Sequence, residues 1–188
     1  PKPEDVTTQQ DTYIHGQFTN LQTTISANNS TLLNGYTTVI DVPSFIDFMI
    51  SNEFAANVDG YQLSTYFHKD RNGKLRAGPI WDFNLTWGND LFLWGFDRSK
   101  IDTWQFTNDD NEGSKFWTDL FNNATFKCYF SKRFNQLMQT GQPMNVTVLN
   151  AFIDNTVSLI TEAMVREHQR WNTVPNNPLE IANLKAFI

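Results

Sequence analysis

Residues 57–60 read Asn-Val-Asp-Gly, and residues 65–84 read Thr-Tyr-Phe-His-Lys-Asp-Arg-Asn-Gly-Lys-Leu-Arg-Ala-Gly-Pro-Ile-Trp-Asp-Phe-Asn. The turn formers at 70–73 lie between an arm at 65–68 and a return at 74–80, which predicts a β-hairpin. A hairpin brings its two ends together. We therefore expect the carboxylates of Asp59, before it, and Asp82, after it, to lie within ~8 Å, close enough to share an ion.

Two neighbouring carboxylates suit a divalent cation, or one general base beside one metal ligand. Asp59 precedes Gly60, so it is also compatible with an ordinary turn. Asp82 lies between Trp81 and Phe83, where a carboxylate is costly to bury unless a cation or hydrogen bonds compensate it.

Four short motifs mark this region: Asn-Val-Asp-Gly at 57–60, Tyr-Phe-His-Lys-Asp at 66–70, Gly-Pro-Ile-Trp-Asp-Phe-Asn at 78–84 and Trp-Gly-Asn at 87–89. Together they resemble the motifs of the CotH (spore coat protein H) kinase family, an atypical branch of the protein-kinase-like fold. A weaker resemblance continues to about Trp171.

The resemblance implies roles for four residues. Asp59 matches the catalytic-loop Asp of kinases, which orients the acceptor hydroxyl, and Asp82 matches the Asp that holds Mg²⁺ at the phosphates. Ser64 stands where kinases commonly have a metal-binding Asn, and Asn84 stands where many relatives have a second Asp. The implied metal ligands are therefore Asp82, Asn84 and Ser64, with Mg²⁺ or Mn²⁺ and ATP as cofactors. Fewer anionic ligands imply a lower metal affinity.

By this resemblance the chain is expected to be a CotH-like atypical protein kinase domain. It would transfer phosphate from ATP to Ser or Thr of a secreted or surface protein. A second hypothesis is a non-catalytic, pseudokinase-type surface module that binds protein or glycan, favoured by Ser64, Asn84 and the aromatic-rich stretch 87–104. A third is a metal-dependent hydrolase that uses Asp59 and Asp82.

Composition excludes several classes of partner. The 188 residues include 16 Phe and 6 Trp, which is enough apolar material for a core, while the net charge is −6. That charge disfavours nucleic acid and anionic membranes, which select basic patches. No apolar run reaches the ~18 residues of a membrane span.

One cysteine, Cys128, forbids an internal disulfide, and we expect it to be buried as a small hydrophobic residue.

Helical periodicity predicts a mainly helical α+β fold around the hairpin. Helices are expected over 9–28, after Asp41 as N-cap with Pro43 in the first turn, over 116–121, over 126–137 and over 146–171, followed by a short tail helix. Their apolar stripes are interpreted as core faces. The stretch between the hairpin and residue 113 has no clear period and reads as a long loop, with a solvated acidic turn at 108–113.

In the resemblance, residues 1–188 form a single domain that corresponds to the larger, helical lobe of a kinase. The chain begins without Met and shows no glycine-rich loop, so we expect a fragment of a longer protein whose small lobe lies upstream. Such a fragment would not bind ATP tightly alone. The family resemblance also implies an exported bacterial protein, while the oligomeric state is left open.

Overall fold

The computed structural model describes residues 5–90, 100–108, 113–173 and 177–188, and it is mainly helical. The described residues contain six α-helices and one two-stranded antiparallel sheet: α1 Thr8–Ser26, α2 Val42–Phe54, β1 Phe67–His68, β2 Arg76–Ala77, α3 Phe116–Asn122, α4 Ala124–Met138, α5 Val146–Arg170 and α6 Asn177–Phe187. The predicted helical α+β class is confirmed at this level.

The chain divides into two compact units, Pro1–Ser131 and Lys132–Ile188. Helix α4 begins in the first unit and ends in the second. The expectation of one domain over residues 1–188 stays a prediction.

The helix starts follow the capping signals in the sequence. Thr7 caps α1 in a capping box with Gln10, in which each side chain binds the other residue's backbone N–H. Asp41 caps α2 as predicted, since its side chain accepts a hydrogen bond from the backbone N–H of Ser44 at 3.0 Å. The start of α2 is therefore set by local chemistry.

The hairpin is present but shorter than predicted. Phe67 lies opposite Ala77 and His68 opposite Arg76, and Gly78 N–H donates to Tyr66 O at 2.9 Å, while Leu75 forms a bridge with Ile40 instead of the opposite arm. The return arm is also fixed to the start of α2, because Asp41 N–H donates to Leu75 O at 2.8 Å and Arg76 Nη1 lies 2.9 Å from Asp41 Oδ2. These contacts hold one end of the hairpin against α2.

The core of the first unit is a cluster of aromatic rings around Trp117, which is 1% exposed. Its ring lies 5.3 Å from both Phe45 and Phe48 of α2, and 5.1 Å from Tyr61. Phe67 of the hairpin lies 5.9 Å away. Trp117 thus joins α2, α3, the hairpin and the loop that follows Asp59, which explains the high aromatic content.

Helix α2 ends in a Schellman motif with alanine where glycine is usual. The N–H of Asn57 donates to Asn52 O at 2.9 Å, and the N–H of Ala56 donates to Glu53 O at 3.1 Å. Ala56 has φ 45°, in the left-handed region. That conformation costs an L-residue roughly 1–2 kcal/mol. The strained residue lies where the chain leaves α2 and turns toward Asp59.

The carboxylate of Glu53 holds two loop segments at the same end of α2. Its Oε1 accepts hydrogen bonds from Tyr61 OH at 2.6 Å and from the N–H of Phe106 at 3.3 Å, and its Oε2 accepts from the N–H of Gln105 at 2.7 Å. Burial raises the pKa of Glu53 from 4.5 to about 7, although these three hydrogen bonds act in the opposite direction.

The second unit contradicts the expectation that every apolar stripe is a core face. No residue of α5 or α6 is buried. Phe152 is 68% exposed and Leu159 is 86% exposed. The apolar spacing correctly predicted that α5 is a helix. Periodicity alone does not say whether another element covers the apolar face of that helix.

Two further observations concern single features. Cys128 is exposed on α4, so the prediction that it is buried is wrong; it lies on the opposite side of the helix turn from the buried residues Phe126 and Phe130. Among the described residues, no helix combines the length and the apolar character that crossing a membrane requires.

Replacing Ala56 by glycine should stabilise the protein, because glycine adopts φ 45° without the steric cost of a Cβ. The expected gain in the free energy of unfolding is ~0.5–1 kcal/mol, after the entropy cost of glycine. Urea denaturation measures it. The control is Ala55→Gly at φ −82°, which should lose stability. Equal losses in both variants would contradict the strain at Ala56.

The free energy of unfolding should depend on pH through the titration of Glu53. Because its pKa is raised from 4.5 to about 7, the folded protein holds a proton that the unfolded chain has released. This contribution is complete below about pH 4.5 and is lost as the pH rises through 7, a fall of roughly 3 kcal/mol.

Denaturation of the wild-type protein and of Glu53→Gln between about pH 4 and 8 tests this, since the amide does not titrate in that range. The wild-type free energy of unfolding should fall relative to that of the variant. Glu162→Gln, an exposed pair member on α5, removes the same charge and should keep the wild-type slope. Parallel curves for wild type and Glu53→Gln would refute the assignment.

Candidate functional site

Asp59 lies in a hydrogen-bonded turn directly after α2. Its backbone N–H donates to Asn57 Oδ1 at 3.3 Å, and its carbonyl accepts from the N–H of Leu63 at 3.0 Å. The residue is partly buried. Side chains of Asn bind the backbone two residues on in many turns, so the sequence Asn-Val-Asp explains this geometry locally. The turn fixes the backbone of Asp59 at both of its polar groups.

The three predicted metal ligands come together. Ser64 Oγ donates to Asp82 Oδ2 at 3.4 Å. With its amide nitrogen turned toward Asp82, Asn84 donates to Asp82 Oδ1 at 2.8 Å and to the Asp82 carbonyl at 3.2 Å. Asp82 therefore has one of these two side chains at each of its carboxylate oxygens.

The amide of Asn84 has two useful orientations. With nitrogen toward Asp82 it makes the hydrogen bonds just described. Rotated by half a turn, it presents its oxygen at the same position, 2.8 Å from Asp82 Oδ1. Two oxygens at right angles around Mg²⁺, with bonds of about 2.1 Å, lie ~3.0 Å apart. The spacing thus suits both a hydrogen bond without a cation and shared ligation with one.

Two of these residues have a strained backbone. Ser64 has φ 48° and Asp82 has φ 61°, both in the left-handed region. Asp adopts the left-handed region more readily than most residues do, whereas Ser is not favoured there. Such strain persists where the surrounding structure determines the conformation, and it is common at functional sites.

The segment that follows Asp82 is bound to the same end of α2 as the Asp59 turn. Trp87 N–H donates to Ala55 O at 2.6 Å, and Val58 N–H donates to Leu85 O at 3.4 Å. Asn89 Nδ2 also donates to Asn84 O at 2.6 Å. These hydrogen bonds fix the backbone that follows Asp82 and Asn84.

The outcome for the predicted residues is mixed. The structure brings Ser64, Asp82 and Asn84 together, and their role as metal ligands stays a prediction. Asp82 is exposed. Its carboxylate is therefore not buried between two aromatic residues, and the expectation that burial makes it need a partner is wrong. The expected separation of the Asp59 and Asp82 carboxylates stays a prediction. Residues 91–99 and 109–112, which include part of the predicted long loop and of its acidic turn, lie outside the described residues.

Two residues of α2 that support the site were missed from the sequence. They are Asn52, which is 1% exposed, and Glu53, whose carboxylate binds two loop segments. A polar residue within an otherwise apolar helix face is a usable signal, because a buried amide needs hydrogen-bond partners. The sequence could therefore have indicated Asn52, although not which groups it binds.

The donor set fits a hard divalent cation. Ser64, Asp82 and Asn84 supply hydroxyl, carboxylate and amide oxygens, the ligand types that Mg²⁺ and Mn²⁺ take. Only one of the three is anionic. Among the described residues, no group of three or more His, Cys, Asp or Glu side chains is arranged to hold a metal. These three residues would thus supply only part of the six-oxygen shell of Mg²⁺, which commonly keeps several waters.

Comparison with known proteins supports the motif resemblance. The model of one protein family, described as CotH kinase protein, matches residues 1–188, the whole chain. No curated protein and no solved structure matches the chain.

Replacing Asn84 by aspartate should strengthen cation binding, because a second carboxylate is added 2.8 Å from Asp82 Oδ1. We expect Mn²⁺ affinity to rise by roughly tenfold, about 1.4 kcal/mol. Titration calorimetry with Mn²⁺ measures it.

The matched control is Asn72→Asp, which adds the same charge at an exposed turn residue of the hairpin, also at positive φ. It should leave the Mn²⁺ affinity unchanged. An equal change in the two variants would mean that net charge, and not ligation at Asp82, determines the affinity.

Proposed function

Because the chain belongs to the CotH kinase family, we propose that its kinase-like domain transfers phosphate from ATP to Ser or Thr of a protein. The observation that carries the proposal is the convergence of Ser64 and Asn84 on the carboxylate of Asp82. A helical large lobe with one hairpin would then carry both the base and the metal ligands of the kinase.

Each residue has a distinct task in this proposal. Asp82, Asn84 and Ser64 would hold Mg²⁺ or Mn²⁺, and the bound cation would supply neutralising charge at the ATP phosphates. Asp59 would accept a hydrogen bond from the acceptor hydroxyl and orient it for transfer. The hydrogen bonds at Asp59 N–H and carbonyl limit the movement of this residue. Such positioning is the main protein contribution to phosphoryl transfer.

The proposal extends to the setting of the reaction. The acceptor would be a secreted or surface protein of a bacterium, and the domain itself would act outside the cytoplasm. This part rests on the family resemblance alone. The acidic net charge of −6 favours a protein acceptor over nucleic acid.

A second candidate is a non-catalytic surface module that binds protein or glycan. The observation that favours it is the low charge of the site, in which Ser64 and Asn84 are neutral and Asp82 is exposed. A weakly charged site binds divalent cations less tightly than one with two or three carboxylates. The two candidates differ in whether phosphate is transferred at all.

A phosphotransfer assay on the protein separates the two candidates. With labelled ATP and Mg²⁺ or Mn²⁺, the wild-type protein should label itself or an added protein. Asp82→Asn should reduce transfer to background, because it removes the anionic metal ligand while keeping the shape and the left-handed preference of the residue. Asp59→Asn should reduce the rate by about 10²–10⁴, as expected for a lost general base.

The control is Asp70→Asn, which removes the same charge from an exposed residue in the hairpin turn. It should keep wild-type activity. Full activity in Asp82→Asn would show that the metal site is wrongly assigned. No transfer by the wild-type protein with either cation, while partner binding is retained in Asp82→Asn, would reject the kinase and favour the binding module.

A further inference from the structure

Asn52 is a buried amide in the last turn of α2, next to the turn that carries Asp59. It is 1% exposed. Its Nδ2 donates to Phe48 O at 2.9 Å, and its Oδ1 accepts from Asn57 Nδ2 at 2.9 Å. Both ends of the side chain are thus hydrogen-bonded inside the protein.

Asn57 passes this constraint to Asp59. It is also 1% exposed, and while its Nδ2 is held by Asn52, its Oδ1 accepts the backbone N–H of Asp59 at 3.3 Å. Because an amide group is planar, fixing its nitrogen also fixes the direction of its oxygen. Asn52 therefore determines where the Asn57 oxygen lies, and so where the N–H of Asp59 must be.

Gly60 shows that the turn packs directly against Asn52. A Cβ at position 60 would lie 2.7 Å from Asn52 Oδ1 and 3.1 Å from Asn57 O. The first distance is shorter than a Cβ contact allows, so a side chain at position 60 would push the turn or the Asn52 amide out of place. Asn52 thus contacts the residues on both sides of Asp59 in the sequence, Asn57 through a hydrogen bond and Gly60 through close packing.

Helix stability alone does not account for an asparagine at position 52. The helix face at Phe45, Phe48 and Met49 is apolar and buried. Asn has a lower helix propensity than Leu or Met, and a buried amide must recover the loss of its hydration. An apolar residue would continue the stripe more simply. What the amide adds at this position is the link to Asn57.

We propose that Asn52 is a positioning residue that holds Asp59 in place through Asn57. The inference rests on the proposed function, in which Asp59 orients the acceptor hydroxyl. Asn52 acts on the backbone of the reacting residue and does not itself touch substrate. Misplacement of a catalytic group by about 1 Å can reduce a rate by roughly 10²-fold, so a link of this kind has a measurable kinetic effect.

The first measurement is steady-state phosphotransfer by the full-length protein. Asn52→Ala should lower kcat by roughly 10- to 100-fold, while KM for ATP and the Mn²⁺ affinity stay at wild-type values, because Asp59 is assigned no metal contact. The control is Asn123→Ala. Asn123 is likewise buried and its Oδ1 accepts from Phe126 N–H at 3.0 Å, but it belongs to the α3–α4 junction.

A graded pair at position 57 guards against a variant that fails to fold. Asn57→Ser keeps a hydroxyl that can accept from the N–H two residues on, whereas Asn57→Ala has no such acceptor. The serine variant should therefore retain more kcat than the alanine variant at equal thermal stability. A purely structural role would make kcat follow the stability of the variants, including Asn123→Ala, and that result would overturn the proposal.

A second readout does not depend on kinase activity. Amide hydrogen exchange should become roughly tenfold faster at Asp59 and Gly60 in Asn52→Ala, and should not change there in Asn123→Ala. If the wild-type protein transfers no phosphate, the proposed function fails, and exchange alone then decides whether Asn52 holds Asp59. Unchanged exchange at Asp59 in Asn52→Ala overturns the inference whether or not the protein is a kinase.

Discussion

The last turn of helix α2 is the constraint on which the candidate site depends. Three groups on this turn bind loop segments from three parts of the chain. The Asn52 side chain holds Asn57 before Asp59, the Ala55 carbonyl holds Trp87 after Asp82, and the Glu53 carboxylate holds residues 105 and 106. Because these partners come from distant parts of the sequence, one helix end determines how they are arranged. A change in that turn is therefore felt at several loops at once.

The other end of α2 is anchored as firmly. Asp41 caps the helix and also binds Arg76 of the hairpin, while Phe45 and Phe48 pack against Trp117. The hairpin and the segments on either side of it are thus attached to one rigid element. Rigid support of this kind is what a site needs when its contribution to the reaction is positioning.

Features that depend on neighbouring residues in the sequence were predicted better than features that depend on tertiary packing. The cap at Asp41, the turn at 70–73 and the helical stripes are encoded by neighbouring residues, and all of them are present in the structure. The family resemblance singled out Ser64, Asp82 and Asn84, and the structure places these three side chains next to one another, while their role as metal ligands stays a prediction. Burial was less predictable: Asp82 is exposed, and α5 has no buried residue, because burial depends on what distant elements cover. For the same reason the partners of Asn52 and Glu53 were invisible in the sequence.

The exposure of Cys128 has a practical consequence for spectroscopy. The chain contains one cysteine, and it lies on the surface of α4. A thiol-reactive fluorophore or spin label would therefore attach at one known position without any mutation. A single thiol also limits disulfide cross-linking under oxidation. Two copies of the chain can form a disulfide-linked dimer, but a larger disulfide-linked polymer would need a second thiol in each chain.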